Sequence, residues 1–255
     1  MPETVHYPCF IKPNVSRNSS KSRMRVCYSE RELIDTLKEF SAKKDIEMLV
    51  EDFVDIKKEY SILGISTKSG ANGPGFFGAE EGGQNEHRGV AVTGRILPCE
   101  TMQPLIDKLI DFVGTLKFDG LYDIDLIETT DGKVYFVEVN MRFGASGYAV
   151  TRCGVNLPGM FADYMIFGKP VDMNSKVEKT GVTFVSEKVL IEEYTMGRLS
   201  KSKLKECMNQ ADICFIKNPE DAGAYKHFKK FYPIASVMRA LYKMRDQRAA
   251  ANKNN

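Results

Sequence analysis

The sequence predicts an α+β fold in which antiparallel sheets carry packed helices. Three observations predict it. Short apolar runs follow one another in pairs separated by turn-forming residues. Two segments, 30–43 and 102–118, repeat apolar residues at helical spacing. Asp131-Gly132 separates two alternating runs, a strong short-range hairpin signal. The 255 residues suffice for one large domain or two small ones. Hydrophobic residues make up 43% and charged residues 27%, with a net charge of +2. That balance supports a core and argues against a disordered chain or one built around a polyanion.

In chain order, 7–12 (YPCFIK) reads as a short buried strand ending in a lysine. The Ser/Asn-rich run 14–22 reads as a loop and 24–28 as a second strand, so 7–28 is a hairpin with a long tip. Ser29 opens S-E-R-E, a capping box with Glu32, and Leu33, Ile34, Leu37 and Phe40 follow at helical spacing. Strands are expected at 48–54 and 59–67. The glycine-rich stretch 68–89 shows neither period and reads as a long loop, either a flap bearing His87 and Arg88 or an ordinary surface loop. A strand is expected at 89–97. The helix over 102–118 carries a stripe of Leu105, Leu109, Ile110, Phe112, Val113 and Leu116. Strands 120–128 and 133–143 follow, then a Gly/Ala-rich segment, a helix over 157–167 and a further strand over 180–193. These elements group as a small lobe at 5–60, a larger one at 61–190 and a helical basic extension at 191–255.

The six cysteines form no C-x-x-C pair and only three histidines are present, so a zinc site is not expected. Scattered cysteines suit a reducing compartment. With no signal-peptide core and no apolar run long enough to span a bilayer, the sequence reads as soluble and cytoplasmic.

Candidate chemistry lies on the 120–143 hairpin. If Asp131-Gly132 is a two-residue loop, Asp123 faces Asn140 and Asp125 faces Glu138. Alternation then sets all four side chains on one face, while Ile124, Leu126, Val137 and Val139 point into a core. Opposed carboxylates repel unless a cation lies between them. Four hard oxygen donors without nitrogen or sulfur favour Mg²⁺ or Mn²⁺. Mg²⁺ held by few carboxylates commonly completes its shell with phosphate oxygens, which implies a nucleotide. Arg142, two residues beyond Asn140, suits a phosphoryl group. The same alternation would also mark a plain solvated face.

The string F-V-E-V-N-M-R-F-G at 136–144 resembles the metal-binding strand of the ATP-grasp superfamily. The resemblance implies a nucleotide held between two lobes. It implies Asp125, Glu138 and Asn140 as metal ligands and Arg142 as the catalytic arginine. Lys12, in Y-P-C-F-I-K, resembles the lysine that binds the α-phosphate, and Lys21 is the cation of the loop over the triphosphate. L-V-E-D-F-V at 49–54 resembles the hinge over adenine, with Glu51 facing the base and the backbones of Asp52 and Val54 bonding its edge. Glu59 resembles the ribose-binding acid.

What the resemblance implies is an ATP- and Mg²⁺-dependent ligase that activates a carboxylate as an acyl phosphate and transfers it to an amine or a thiol. D-aspartate ligase is one relative with a similar string. Family members ordinarily carry a further domain before the lysine strand, which implies here a fragment, a truncated product or a chain completed by a partner. A catalytically incomplete ATP-binding module, or a binding protein that keeps the fold alone, are the competing readings. Gly144 to Phe161 would border the acceptor site, with Ser146 and Arg152 as candidates; Cys153 reads as a packed thiol. Arg95 is a further phosphate candidate. The basic tail from Tyr225 suits a solvated helix face or an anionic membrane surface; no nucleic-acid partner is expected.

Overall fold

A computed structural model of the chain describes residues 4–14, 24–41, 47–79 and 92–251. The chain folds as two compact units, Met1–Ile56 and Lys57–Asn255.

In the first unit, β1 (Cys9–Pro13) lies between β2 (Arg25–Cys27) and β3 (Met48–Asp52), antiparallel to both. Alternation decides the faces: Cys9 and Ile11 turn inward, while Phe10 and Lys12 occupy the opposite face. Helix α1 (Glu30–Ser41) covers the inward face, and Leu33 and Phe40 join Cys9, Ile11 and Cys27 in the core. Its start is close to the expected capping box, with the glutamate arm reaching one residue further back. Ser29 Oγ accepts the Glu32 N–H at 3.3 Å, and the Glu32 carboxylate accepts the Tyr28 N–H at 2.8 Å.

The second unit is built on a seven-stranded sheet. Its strands are β4 (Ile56–Thr67), β5 (Gly70–Ala79), β6 (Thr93–Ile96), β7 (Gly120–Thr129), β8 (Val134–Asn140), β9 (Thr183–Val185) and β10 (Ile213–Cys214), in the order β10-β9-β6-β5-β4-β7-β8. Helix α2 (Gln103–Thr115) covers one face, over Tyr60, Ile62, Phe76, Tyr122, Ile124 and Leu126. Helices α3 (Gly147–Arg152) and α4 (Leu157–Phe167) belong to the core of the other, with Leu63, Ile65, Phe77, Ile96 and Phe184. Helices α5 (Glu187–Thr195), α6 (Lys201–Gln210) and α7 (Ala222–Ala251) complete the unit.

Three sequence expectations are corrected. The glycine-rich stretch is not a loop over its first half: Gly70–Ala79 is β5, paired with β4 from Thr67↔Gly70 to Glu59↔Ala79. Its glycines answer close packing, since a Cβ on Gly75 would lie 2.4 Å from a Val150 methyl. The segment 180–193 is a three-residue strand followed by helix α5. The inward positions of that helix are Glu187, Leu190 and Glu193, so two acids hide its buried face from an apolar-period reading. Glu187 is accommodated by the backbone N–H groups of Ile216 and Lys217, and Glu193 by Arg198 at 2.8 Å. On α2, Ile106 and Val113 are buried, whereas Phe112 and Leu116 of the expected stripe are exposed.

Candidate active site

Strands β7 and β8 pair antiparallel, with Asp123↔Asn140 and Asp125↔Glu138 as the sequence predicts. The route to that register differs. The connection is a three-residue loop, Thr130-Asp131-Gly132, closed by the Thr129 N–H on the Lys133 carbonyl at 2.9 Å. Gly132 takes φ +82°, the left-handed residue such loops require. This shifts the early pairs to Glu128↔Val134 and Leu126↔Phe136. A bulge at Val137 then inserts one residue and restores the expected pairing at the acids. Val137 is consequently exposed rather than in the core, while Val139 packs on the α2 side.

The four polar side chains therefore share the face opposite α2. Asp123 is buried and accepts a hydrogen bond from Ser61 Oγ on β4. Burial above all raises its carboxyl pKa, against the pull of Ser61 and Arg142. Gly144 is what lets Asp123 fit: a Cβ there would stand 2.2 Å from its Oδ2. Asp125 is half-buried, and its pKa is pushed up to about 7, first by burial and then by Asp123 and Glu138. Asn140 sits between the acids, donating from Nδ2 to Asp125 Oδ2 and to Glu138 Oε1, each at 3.1 Å. Arg142 Nη2 in turn donates to Asn140 Oδ1 at 3.3 Å. Lys57 (3.0 Å) and Tyr60 (2.5 Å) engage Glu128 further along β7.

Among the described residues no three His, Cys, Asp or Glu side chains converge on a metal position by themselves. The convergent group is two carboxylates and one amide, with the amide N–H₂ placed where a cation would neutralise the pair. A half-turn of that amide exchanges Nδ2 for Oδ1 and presents three hard oxygens, a donor set that fits Mg²⁺ or Mn²⁺.

In the first unit, Lys12 Nζ pairs with Glu51 Oε2 at 2.9 Å, on the face of β1 opposite the core. Asp52 ends β3 with His6 at 3.4 Å, and Val54 lies in the connection 53–55. Glu59 projects from β4 two residues before Ser61, on the face that carries Asp123. Lys21, His87 and Arg88 lie outside the described residues. Arg95 is on β6 opposite Thr183, away from β7 and β8 in the strand order. Ser146 is buried before α3, and Arg152 faces Glu220 at 3.7 Å. Cys153 is buried in the core, as expected of a packed thiol. The sequence reading missed Ser61 and the reason for Gly144, because both act across strands far apart in the chain.

A family model described as ATP-grasp domain matches residues 1–156. No curated protein matches the chain. Among solved structures, the chain is similar to the biotin carboxylase domain of Hydrogenobacter thermophilus 2-oxoglutarate carboxylase, a complex with MgADP, ADP and bicarbonate. The identity is 15%, the TM-score 0.56, and 70% of this chain and 40% of that chain are covered. It is also similar to the ADP complex of purK, an N5-carboxyaminoimidazole ribonucleotide synthetase, with 18% identity, a TM-score of 0.53, and 69% and 45% covered. A Campylobacter jejuni biotin carboxylase matches at 15% identity and a TM-score of 0.52, with 62% and 36% covered. The chain spans about two-fifths of the length of these structures. At such identities the likeness is one of fold.

Proposed function

The chain belongs to the ATP-grasp family, and from that premise we propose that it serves an ATP- and Mg²⁺-dependent ligase joining a carboxylate to an amine through an acyl phosphate. The observation that carries the reading is the bulged β7–β8 register, which sets the side chains of Asp125, Glu138 and Asn140 together on one face beside Arg142.

In the proposed reaction a substrate carboxylate oxygen attacks the γ-phosphorus of ATP. The bond to the β–γ bridging oxygen breaks and ADP departs with that electron pair. The amine then adds to the acyl carbon, the C–O bond to phosphate breaks, and the amine's proton is lost. A thiol would serve as nucleophile in the same way. Phosphoryl transfer asks mostly for positioning and charge stabilisation. Asp125, Glu138 and Asn140 would hold Mg²⁺, which neutralises phosphate oxygens when bound. Arg142 presents a fork of donors for the transferring group, and its bond to Asn140 Oδ1 would be given up when that oxygen turns to the metal. Lys12 is a point charge for the α-phosphate, shared with Glu51 until ligand arrives. Lys21 is proposed for the triphosphate, Glu51 and the backbones of Asp52 and Val54 for adenine, and Glu59 for ribose. The strings 138–144 and G-V-N-L-P downstream resemble those of carboxylate–amine ligases acting on amino acids or cell-envelope precursors, D-aspartate ligase among them.

A second reading is a catalytically incomplete ATP-binding module that works with a partner chain; the part of this chain that aligns covers about two-fifths of each structural relative. A phosphate-release screen of amino acids and small acids with Mg-ATP tests both. Turnover that Glu138→Ala/Asn140→Ala leaves intact rules out the metal assignment. ATP binding without ADP release, relieved by a second chain, favours the module.

A further inference from the structure

Helix α7 places apolar residues on the side where a docked helix ordinarily carries polar ones. Two contacts fix which side faces the protein: Phe228 is buried, and Tyr232 donates to Glu192 Oε1 of α5 at 2.5 Å. At about 100° per residue, Ile234, Val237 and Leu241 fall roughly opposite that pair. They are 62%, 46% and 52% exposed, and Phe231 flanks them at 45%. Exposed Lys226 and Lys230 fall on the same outer side, and Lys230 Nζ rests 5.2 Å from the Phe231 ring centre.

Charge is segregated to the same segment. From Tyr225 onward eight Lys and Arg stand against Asp246 alone, a charge of +7. The chain as a whole carries +2, so the first 224 residues carry −5. The spacing 234, 237, 241 would also suit a seam between two copies of the helix. A second copy, however, would bring +7 against +7. A polynucleotide would satisfy the bases and leave the aliphatic stripe in water. An anionic lipid surface satisfies both, with phosphate for the bases and the acyl boundary for the stripe. No described helix is long and apolar enough to cross a membrane, so the contact is one of lying on the surface.

We propose that the outer face of α7, through Ile234, Val237 and Leu241 with Lys226 and Lys230, seats the protein on an anionic lipid bilayer. The inference is independent of the ligase reading.

The test uses the full chain and vesicles of phosphatidylcholine, with and without phosphatidylglycerol. The protein should co-sediment with the anionic vesicles and not the neutral ones, and less as salt is raised. Removing both bases with Lys226→Gln/Lys230→Gln should weaken binding about twenty-five-fold, at about fivefold per base. Ile234→Ser/Val237→Ser/Leu241→Ser should weaken it too, with the helical circular-dichroism spectrum kept. The chain has no tryptophan, so Ile234→Trp installs a single reporter whose emission should shift to the blue on anionic vesicles only. Binding unchanged by the serine variant, or no blue shift, overturns the proposal. So does tighter binding to a polynucleotide than to vesicles, or salt-promoted dimerisation in their absence.

Discussion

At the scale of single residues, the site is organised around a repulsion. Burial, and then the neighbouring Asp123 and Glu138, push the Asp125 carboxyl up to about 7, far above the usual carboxylate range. Between roughly pH 4 and 7 the native chain keeps a proton on Asp125 that the unfolded chain has released. Without metal, therefore, the contribution of Asp125 to native stability falls as pH rises through that window and is greatest at its acid end. A divalent ion held by Asp125 as proposed would compete with the same proton, so Mg²⁺ affinity should climb steeply from pH 5 to 7. Asp125→Asn should remove most of that pH dependence, which Mg²⁺ titration of nucleotide binding at several pH values would reveal. Affinity flat across the window would contradict the assignment. Gly144 supplies a second residue-scale prediction. Gly144→Ala drives a methyl into the Asp123 carboxylate, an overpacking cost of about 1–3 kcal/mol, to be read as a lowered urea midpoint with unchanged slope. The acids themselves were legible in the sequence, since period-two alternation needs only neighbouring residues. Ser61 and the fit of Gly144 against Asp123 were not, because they depend on β4 and on the chain beyond β8 meeting β7.

At the scale of elements, two local departures cancel. The three-residue loop displaces the β7–β8 pairing by one, and the bulge at Val137 displaces it back. The sequence therefore predicted the right partners for Asp123 and Asp125 while misplacing Val137 and the turn. Gly132 sits at φ +82° with nothing near its missing Cβ, so Gly132→Ala is opposed by backbone conformation alone. About 1–2 kcal/mol of destabilisation is expected. A loss of Mg-ATP binding well beyond what that destabilisation explains would show that the loop also governs the register at Asp125. Helix α5 illustrates why other elements stayed hidden. Its buried Glu187 accepts backbone N–H groups of Ile216 and Lys217, a contact no periodicity reports. Glu187→Ala should cost about 1–3 kcal/mol by orphaning those donors. Likewise β5 reads as a loop in sequence because its glycines look like freedom, whereas Gly75 is small because Val150 is close.

At the scale of the whole molecule, the fold class was readable because hairpins and amphipathic helices are local signals. The sheet order β10-β9-β6-β5-β4-β7-β8 was not, since it joins strands separated by long stretches of chain. Each unit has its own hydrophobic core, so unfolding need not be a single transition. The proposed ligand set draws on both units: Lys12 and Glu51 belong to Met1–Ile56, and Asp125, Glu138 and Asn140 to Lys57–Asn255. A nucleotide that engages both sets stabilises both units by mass action, about 2.7 kcal/mol at one hundred times its Kd. Mg-ATP should then raise every thermal transition of the chain, and EDTA should abolish the rise. On the proposal that one nucleotide is held by both sets, Lys12→Ala should reduce the gain in the transition of the second unit as well as the first. A gain confined to one transition, or one indifferent to EDTA, would separate the lysine strand from the carboxylate patch and leave the metal-nucleotide reading without its second half.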